Sequence, residues 1–204
     1  MVDLYISPGN RRMDFPTFSL PAVKACPNAT DNCKKFCYAL KAERTWKSPR
    51  ESRIRNLKGT KDVNFIPSMI SKIRKLKGEF VRIHESGDFY NQEYLDKWIV
   101  ICNKNPKKKF LVYTQMYNLD WSNKPDNMIV YWTVWPDTDM NEVPKGLRAF
   151  VVDDGSHKIP EYPMKITTGT YKIKKCAKGK GSKLKCNDCM WCYKGKGNVI
   201  FKLH

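Results

Sequence analysis

Residues 79–115 read in order as strand, helix and strand, and no other part of the chain limits the fold so tightly. EFVRIHESGDF is a short β run ending in a polar cluster, NQEYLDKWIVICNKN is apolar at helical spacing, and KKFLVYTQ is a second β run. Two parallel strands need a crossover of about a dozen residues, which a helix of this length supplies, so the segment is a βαβ unit. The runs MIVYWTVW, LRAFVVDD and MKITTGT follow at spacings that continue one largely parallel sheet, with the intervening helices short or absent. GNVIFKLH reads as a closing strand that packs the cysteine-rich region back onto the sheet. The expected class is therefore α/β, with a partly parallel sheet of partial-barrel-like βαβ units.

Before this unit the sequence has a different character. Pro8, Pro16 and Pro21 mark residues 1–25 as extended, irregular chain with no long helix. Asp31 or Asn32 caps an expected helix from Cys33 to Trp46, on which Cys33 and Cys37 share a face at i and i+4. Ser48, Pro49 and Glu51 read as a capping box that starts a basic helix ending near Gly59. Asp62 begins another helix, apolar through Ile66, Met69, Ile70 and Ile73. At 204 residues the chain fits one domain. Within it, residues 1–78 form a cysteine-containing, basic helical part, 79–170 the βα sheet, and 171–204 a cysteine-rich, metal-binding segment with a closing strand. No internal repeat of fixed period is present.

In a parallel sheet ligands gather at the carboxyl ends of the strands. His84, Glu85, Ser86, Gly87 and Asp88 fall there, with His84, Glu85 and Asp88 as candidate catalytic groups for proton transfer or polar-ligand binding. The competing reading is a turn in which Asp88 or Asn91 caps the next helix. Asp153, Asp154 and Gly155 end another strand and read as a turn, while His157 and His204 read as surface residues.

Seven of the eight cysteines fall in two tight groups. Cys176, Cys186, Cys189 and Cys192 form C-x9-C-x2-C-x2-C, and Cys26, Cys33 and Cys37 form C-x6-C-x3-C. The N-terminal MVDLYISPGNRRMDF lacks a continuous apolar signal region, which argues against a disulfide framework and for metal. Two-residue spacers let three thiolates wrap one face of a cubane cluster, so a 4Fe-4S centre on Cys176, Cys186, Cys189 and Cys192 is the expected cofactor, with zinc as the alternative. Cys26, Cys33 and Cys37 are additional or alternative ligands, either for a second cluster with one iron open or for a shared site. Lys172, Lys174, Lys175, Lys178, Lys180, Lys183 and Lys185 surround the C-terminal thiols and are expected to favour their thiolate forms. Cys102, inside an apolar helix, reads as a small core residue.

Thirty-eight Lys and Arg against twenty Asp and Glu give a net charge of +18. The basic residues crowd between Lys34 and Arg82 (Lys34, Lys35, Lys41, Arg44, Lys47, Arg50, Arg53, Arg55, Lys72, Arg74, Lys75 and Lys77) and return at 172–185, whereas acids dominate from Asp120 to Asp154. A nucleic acid or another polyanion is the partner this surface would attract, with Trp46 or Trp191 available to stack on bases. A solubilising surface is the plainer alternative. No run approaches the roughly 18 apolar residues of a spanning helix, so no membrane partner is expected.

The segments ISPGNRR from Ile6, FSLPAVKACP from Phe18, the CxxxCYA of Cys33–Ala39, RIHESGDF and the terminal CxxCxxC together resemble the gene product 88 family of bacteriophage proteins, over most of the chain. The resemblance implies a phage-encoded protein of the host cytoplasm with iron-sulfur character. The pattern is also similar to a fragment of the partial α/β barrel of radical S-adenosylmethionine enzymes. It departs from that family, whose CxxxCxxC lies in one loop. Three functions follow as expectations. The first is a 4Fe-4S protein serving electron transfer with a redox partner, redox sensing or a structural role. The others are an enzyme with an open-iron cluster and a zinc-stabilised nucleic-acid binder.

Overall fold

The computed structural model describes residues 2–10, 13–156, 159, 161–166, 172–176 and 184–203. Its sheet has eight strands: β1 (Ile6–Ser7), β2 (Thr17–Phe18), β3 (Phe80–Ile83), β4 (Lys109–Thr114), β5 (Met128–Val134), β6 (Arg148–Asp153), β7 (Ile173–Lys175) and β8 (Asn198–Lys202). Their order across the sheet is β1-β2-β3-β4-β5-β6-β8-β7. Only β1 is antiparallel to its neighbour; every other pairing is parallel. From β2 to β6 each strand is added beside the one before it, in chain order. The expected α/β class with a largely parallel sheet is what the chain forms.

Seven helices accompany these strands among the described residues: α1 (Asp31–Lys35), α2 (Tyr38–Thr45), α3 (Lys47–Gly59), α4 (Phe65–Arg74), α5 (Gln92–Asn103), α6 (Glu161–Ile166) and α7 (Cys186–Cys189). Asn91 is the cap of α5, its side chain accepting the Tyr94 N–H at 2.9 Å. None of these helices is long and apolar enough to cross a membrane.

Period-two alternation divides the strand side chains between two cores. Val81, Ile83, Phe110, Val112, Met128, Val130, Trp132, Ala149 and Val151 face α4 and α5, where Phe65, Met69, Ile73, Tyr94, Trp98 and Cys102 meet them. Cys102 is fully buried, as expected. Leu111, Tyr131 and Val199, with Phe80, Tyr113, Ile129 and Phe150, face the other way. Among the described residues the four-residue α7 supplies the helical part of the cover on that second face, with no long helix over it. Met13 and Phe15 from the N-terminal segment and Cys176, Cys186, Met190, Trp191, Cys192 and Tyr193 from the C-terminal segment cover it instead. Phe15 and Tyr193 meet at 4.2 Å between ring centroids, and Asn187 exchanges two hydrogen bonds with the Asp14 backbone.

The N-terminal third is tied to the sheet by buried polar groups. Asn56 of α3 accepts the Tyr5 N–H and donates to the carbonyls of Tyr5 and Ser19, each at 2.8–2.9 Å. Arg53 donates to Glu43 of α2 at 2.9 Å, and Glu43 also accepts the Ala22 N–H at 2.8 Å, fixing the loop after β2. Charges this buried persist because each has a charged and a backbone partner.

Four local expectations are corrected. The extended first 25 residues contain two strands, β1 and β2, each too short to leave a periodic pattern. The helix expected from Cys33 to Trp46 is two helices. Thr30, not Asp31 or Asn32, caps the first, and Cys37 is extended (φ −66°, ψ 100°) and caps the second, its sulfur accepting the Leu40 N–H at 3.4 Å. Cys33 and Cys37 therefore do not share a helical face. α3 begins at Lys47 after extended Trp46 with no side-chain cap, so the Ser48–Glu51 capping box does not form. The strand expected at MKITTGT is helical through Ile166, where Pro163 fits a first turn that needs no N–H from it. Residues 167–171, like His157, His204, Lys178, Lys180 and Lys183, lie outside the described residues.

His84 follows β3 in the left-handed region (φ 63°) and belongs to the helix-side core. Its ring packs on Phe89 and Tyr94, and Nε2 shares a 2.9 Å hydrogen bond with the Tyr94 hydroxyl. Burial, aided by the Arg82 charge, lowers its pKa to about 3, so it is neutral in the fold. An unfolded histidine titrates near 6.5, so the stability this contributes is complete above about pH 6.5 and lost as the pH falls toward 3. Urea unfolding between pH 6.5 and 5.5 is expected to show wild type losing about 1 kcal/mol more than His84→Gln. Equal losses would contradict it.

Candidate functional site

The loops at the carboxyl ends of β2, β3, β4 and β5 meet at one edge of the sheet, and Asp88 joins three of them. Its carboxylate accepts the Thr114 hydroxyl at 2.7 Å, the Gln115 N–H at 2.9 Å and the Phe89 N–H at 2.8 Å. Its own N–H donates to the Ala25 carbonyl at 2.8 Å, holding the loop that carries Cys26. The Leu20 N–H reaches the Ser86 carbonyl beside it at 2.9 Å. Gly87 sits at φ 83° where a Cβ would come within 2.5 Å of the Leu20 Cβ, so the two loops approach this closely only with glycine there. Burial raises the Asp88 pKa to about 6, against the pull of its three hydrogen bonds.

The N-terminal thiols stand at this edge. Cys26 is electrostatically coupled to Asp88, Cys33 and Cys37, and Cys33 to Cys37, Asp88 and Asp137. Gln115 Nε2 donates to the Cys33 sulfur at 3.2 Å, while its buried Oε1 has no hydrogen-bond partner. Asp137, after β5, accepts the Asn32 N–H at 2.8 Å. Burial pushes the Cys33 thiol up to about 11 and Cys26 further still. An open recess of about 540 Å³, lined by Pro27, Asn28, Thr30, Tyr117, Thr138 and Glu142, adjoins these thiols.

Of the candidate catalytic groups, Asp88 alone lies within this cluster. His84 is turned into the core. Glu85 is half-buried, its Oε1 accepting from Asn10 at 2.9 Å and its carbonyl from the Tyr38 hydroxyl at 2.7 Å. Asp153 and Asp154 form a turn, accepting the N–H groups of Gly155 and Ser156. Sequence reasoning passed over Gln115 and Asp137, although both follow strands as the HESGD segment follows β3, and the same rule would have found them.

The C-terminal thiols belong to the segment that covers the sheet face opposite α4 and α5. The Cys176 N–H donates to Ile200 of β8 at 2.7 Å. Cys186 and Cys189 are the ends of α7, whose Met190 cap is left-handed (φ 53°) and returns an N–H to the Cys186 carbonyl, turning the chain toward Cys192. Cys192 lies near enough to Cys176, Cys186 and Cys189 to feel their charge, and Tyr113 of β4 packs in the same cluster. The described lysines do not set the balance at Cys192. Burial does, pushing its thiol up to about 12, and Lys174 lies instead over the Trp191 ring at 5.3 Å. Beside the group, Arg82 stacks on Tyr113 at 5.0 Å.

The seven thiols thus occupy two neighbourhoods with different partners. Among the described residues no three His, Cys, Asp or Glu side chains are disposed to hold a metal ion.

No solved structure matches the chain. The gene 88 protein of Mycobacterium phage L5 is 28% identical over 197 residues, covering 87% of this chain and 81% of that protein. The gene 88 protein of Mycobacterium phage D29 is 25% identical over 128 residues, covering 55% of this chain and 53% of that protein. The gene product 88 family profile matches residues 6–195, nearly the whole chain and both thiol groups, and the chain therefore belongs to that family.

Proposed function

We propose that this protein binds an iron-sulfur cluster, a 4Fe-4S centre held by Cys176, Cys186, Cys189 and Cys192, for electron transfer, redox sensing or stabilisation of the fold. The observation that carries the reading is that Cys176, Cys186 and Cys192 pack on one apolar sheet face, with Cys189 near enough for its charge to act on Cys192. An all-thiol donor set suits iron-sulfur chemistry, and zinc is the competing occupant. Burial keeps the Cys192 thiol protonated until a cation arrives, so loading would release a proton there. When bound, a cluster supplies a one-electron couple. The chain's own contribution is an apolar shell of Met13, Phe15 and Tyr193 that limits water, with the Tyr113 side chain in the same cluster.

A second reading has its own observation. Cys26, Cys33 and Cys37 stand at the carboxyl edge of the parallel sheet beside Asp88 and an unsatisfied Gln115 oxygen, where ligands of such folds bind. Three thiols leave one iron of a cluster open to a ligand. In that reading the protein is an enzyme, with Asp88 poised to exchange a proton near neutral pH.

Anaerobic purification with iron, sulfide and zinc analysis and a visible spectrum tests both. The first reading expects brown protein with about four irons and four sulfides. Cys186→Ser, Cys189→Ser and Cys192→Ser together abolish them, whereas Cys102→Ala leaves them intact. The second expects about eight irons, falling to about four when Cys26, Cys33 and Cys37 are replaced by serine. Colourless protein with stoichiometric zinc that resists reconstitution would overturn both. Tyr113→Phe is expected to keep the iron content and move the reduction potential to more negative values, measured by redox titration, because the shell around Cys192 loses a hydroxyl dipole.

A further inference from the structure

We propose that α1, α2 and α3 present a binding surface for single-stranded nucleic acid, with Trp46 as its principal base-stacking platform. Residues 31–58 hold nine basic and three acidic side chains. One of those acids, Glu43, is consumed internally by Arg53. Lys41 and Arg44 occupy the outward face of α2, opposite buried Ala39, and Lys47, Ile54 and Lys58 the outward face of α3, opposite buried Arg53 and Asn56. Among the described residues Lys35, Lys41, Arg44, Arg50 and Lys58 have no carboxylate partner, so their charge is available to a ligand.

Charge alone would describe any solvated face. What selects the partner is the company these cations keep. Trp46 is 64% exposed at the α2–α3 junction, Tyr38 58% and Phe36 42%, whereas among the other described aromatic residues Tyr5 alone is exposed to this degree. Exposing three rings within eleven residues forgoes the burial that stabilises the rest of the fold. Exposed rings among cations are what an unpaired strand requires, since each base offers a π face and each nucleotide a phosphate, and Lys35 already lies over the Phe36 ring at 5.3 Å, which leaves Trp46 as the principal platform. Tyr38 is held in place through its hydroxyl at the Glu85 carbonyl, which leaves a preset ring rather than a mobile one. A duplex hides its base faces, and an acidic peptide has no use for the rings. The surface stands independently of any metal.

The test is titration of the full-length, anaerobically purified protein with dT20 and rU20, read by intrinsic fluorescence and by anisotropy of a labelled oligonucleotide. Trp98, Trp121, Trp132 and Trp135 are all below 10% exposed and Trp191 is half-buried under Lys174, so Trp46 is the most exposed reporter and its replacement shows how much of any quenching it carries. Binding is expected with quenching, and with a log K against log salt slope of about −3.5 for five phosphates neutralised. Trp46→Ala is expected to weaken binding about tenfold and remove most of the quenching. Lys41→Glu with Arg44→Glu is expected to flatten the salt slope. Lys104→Glu with Lys107→Glu, the same charge change beyond the end of α5, is expected to change affinity less than about threefold. All these side chains are exposed, and far-UV circular dichroism verifies that each variant folds. The proposal is overturned by no binding in 20 mM salt, by equal competition from polyglutamate, by preference for a duplex of the same length, or by equal losses from the two charge reversals.

Discussion

Because the strands from β2 to β6 are added in one direction, and parallel crossovers are right-handed, the helices between them have only one face of the sheet on which to lie. The other face, lined by Leu111, Tyr113, Ile129, Tyr131, Phe150 and Val199, must still be removed from water. In a closed barrel such residues would fill the interior. Here the sheet is open, and the two ends of the chain supply the cover. Met13 and Phe15 arrive from one side and the C-terminal thiols from the other, joined by the Asn187–Asp14 hydrogen bonds. The position of Cys176, Cys186, Cys189 and Cys192 is thus a consequence of winding: they lie on the segment that completes a core.

The same winding brings the carboxyl ends of all the parallel strands, β1 excepted, to one edge, and there Asp88 does for the loops what backbone pairing does for the strands. Its three accepted hydrogen bonds and its donation to Ala25 fix the spacing of the loops after β2, β3 and β4. The cost is a carboxylate held in a dry place, seen in its raised pKa. One half-buried thiol group therefore sits at the ligand-facing strand edge with a recess near it, the other, equally half-buried, against an apolar sheet face. That difference, more than the cysteine spacings, distinguishes a reactive from an electron-carrying or structural reading.

The positive charge follows a similar logic. Arg53 is spent inside, where Glu43 and a backbone carbonyl satisfy it. Its neighbours in α2 and α3 point outward at helical intervals, together with rings that found no place in either core. Net charge alone did not distinguish these two fates.

Much of this architecture was legible in the residues themselves. The 3.6-residue period of α5, the alternation in β4 and β5 and the polar ends of β3 and β6 are local properties, and local sterics and solvent make them visible. The cysteine groups and the left-handed turn at Gly87 also belong to the sequence. What it could not determine were features whose energy comes from distant partners. β1 and β2 exist because β3 pairs with β2, not because two residues prefer extension. The break at Cys37 depends on a sulfur capping α2, and His84 is a core residue because Tyr94 and Phe89 close around it. Seven thiols in two motifs could serve one site or two. Only the tertiary structure, by sending one group to the strand ends and the other across the sheet face opposite α4 and α5, gave them separate surroundings, because burial and hydrogen bonding act through space and not along the chain.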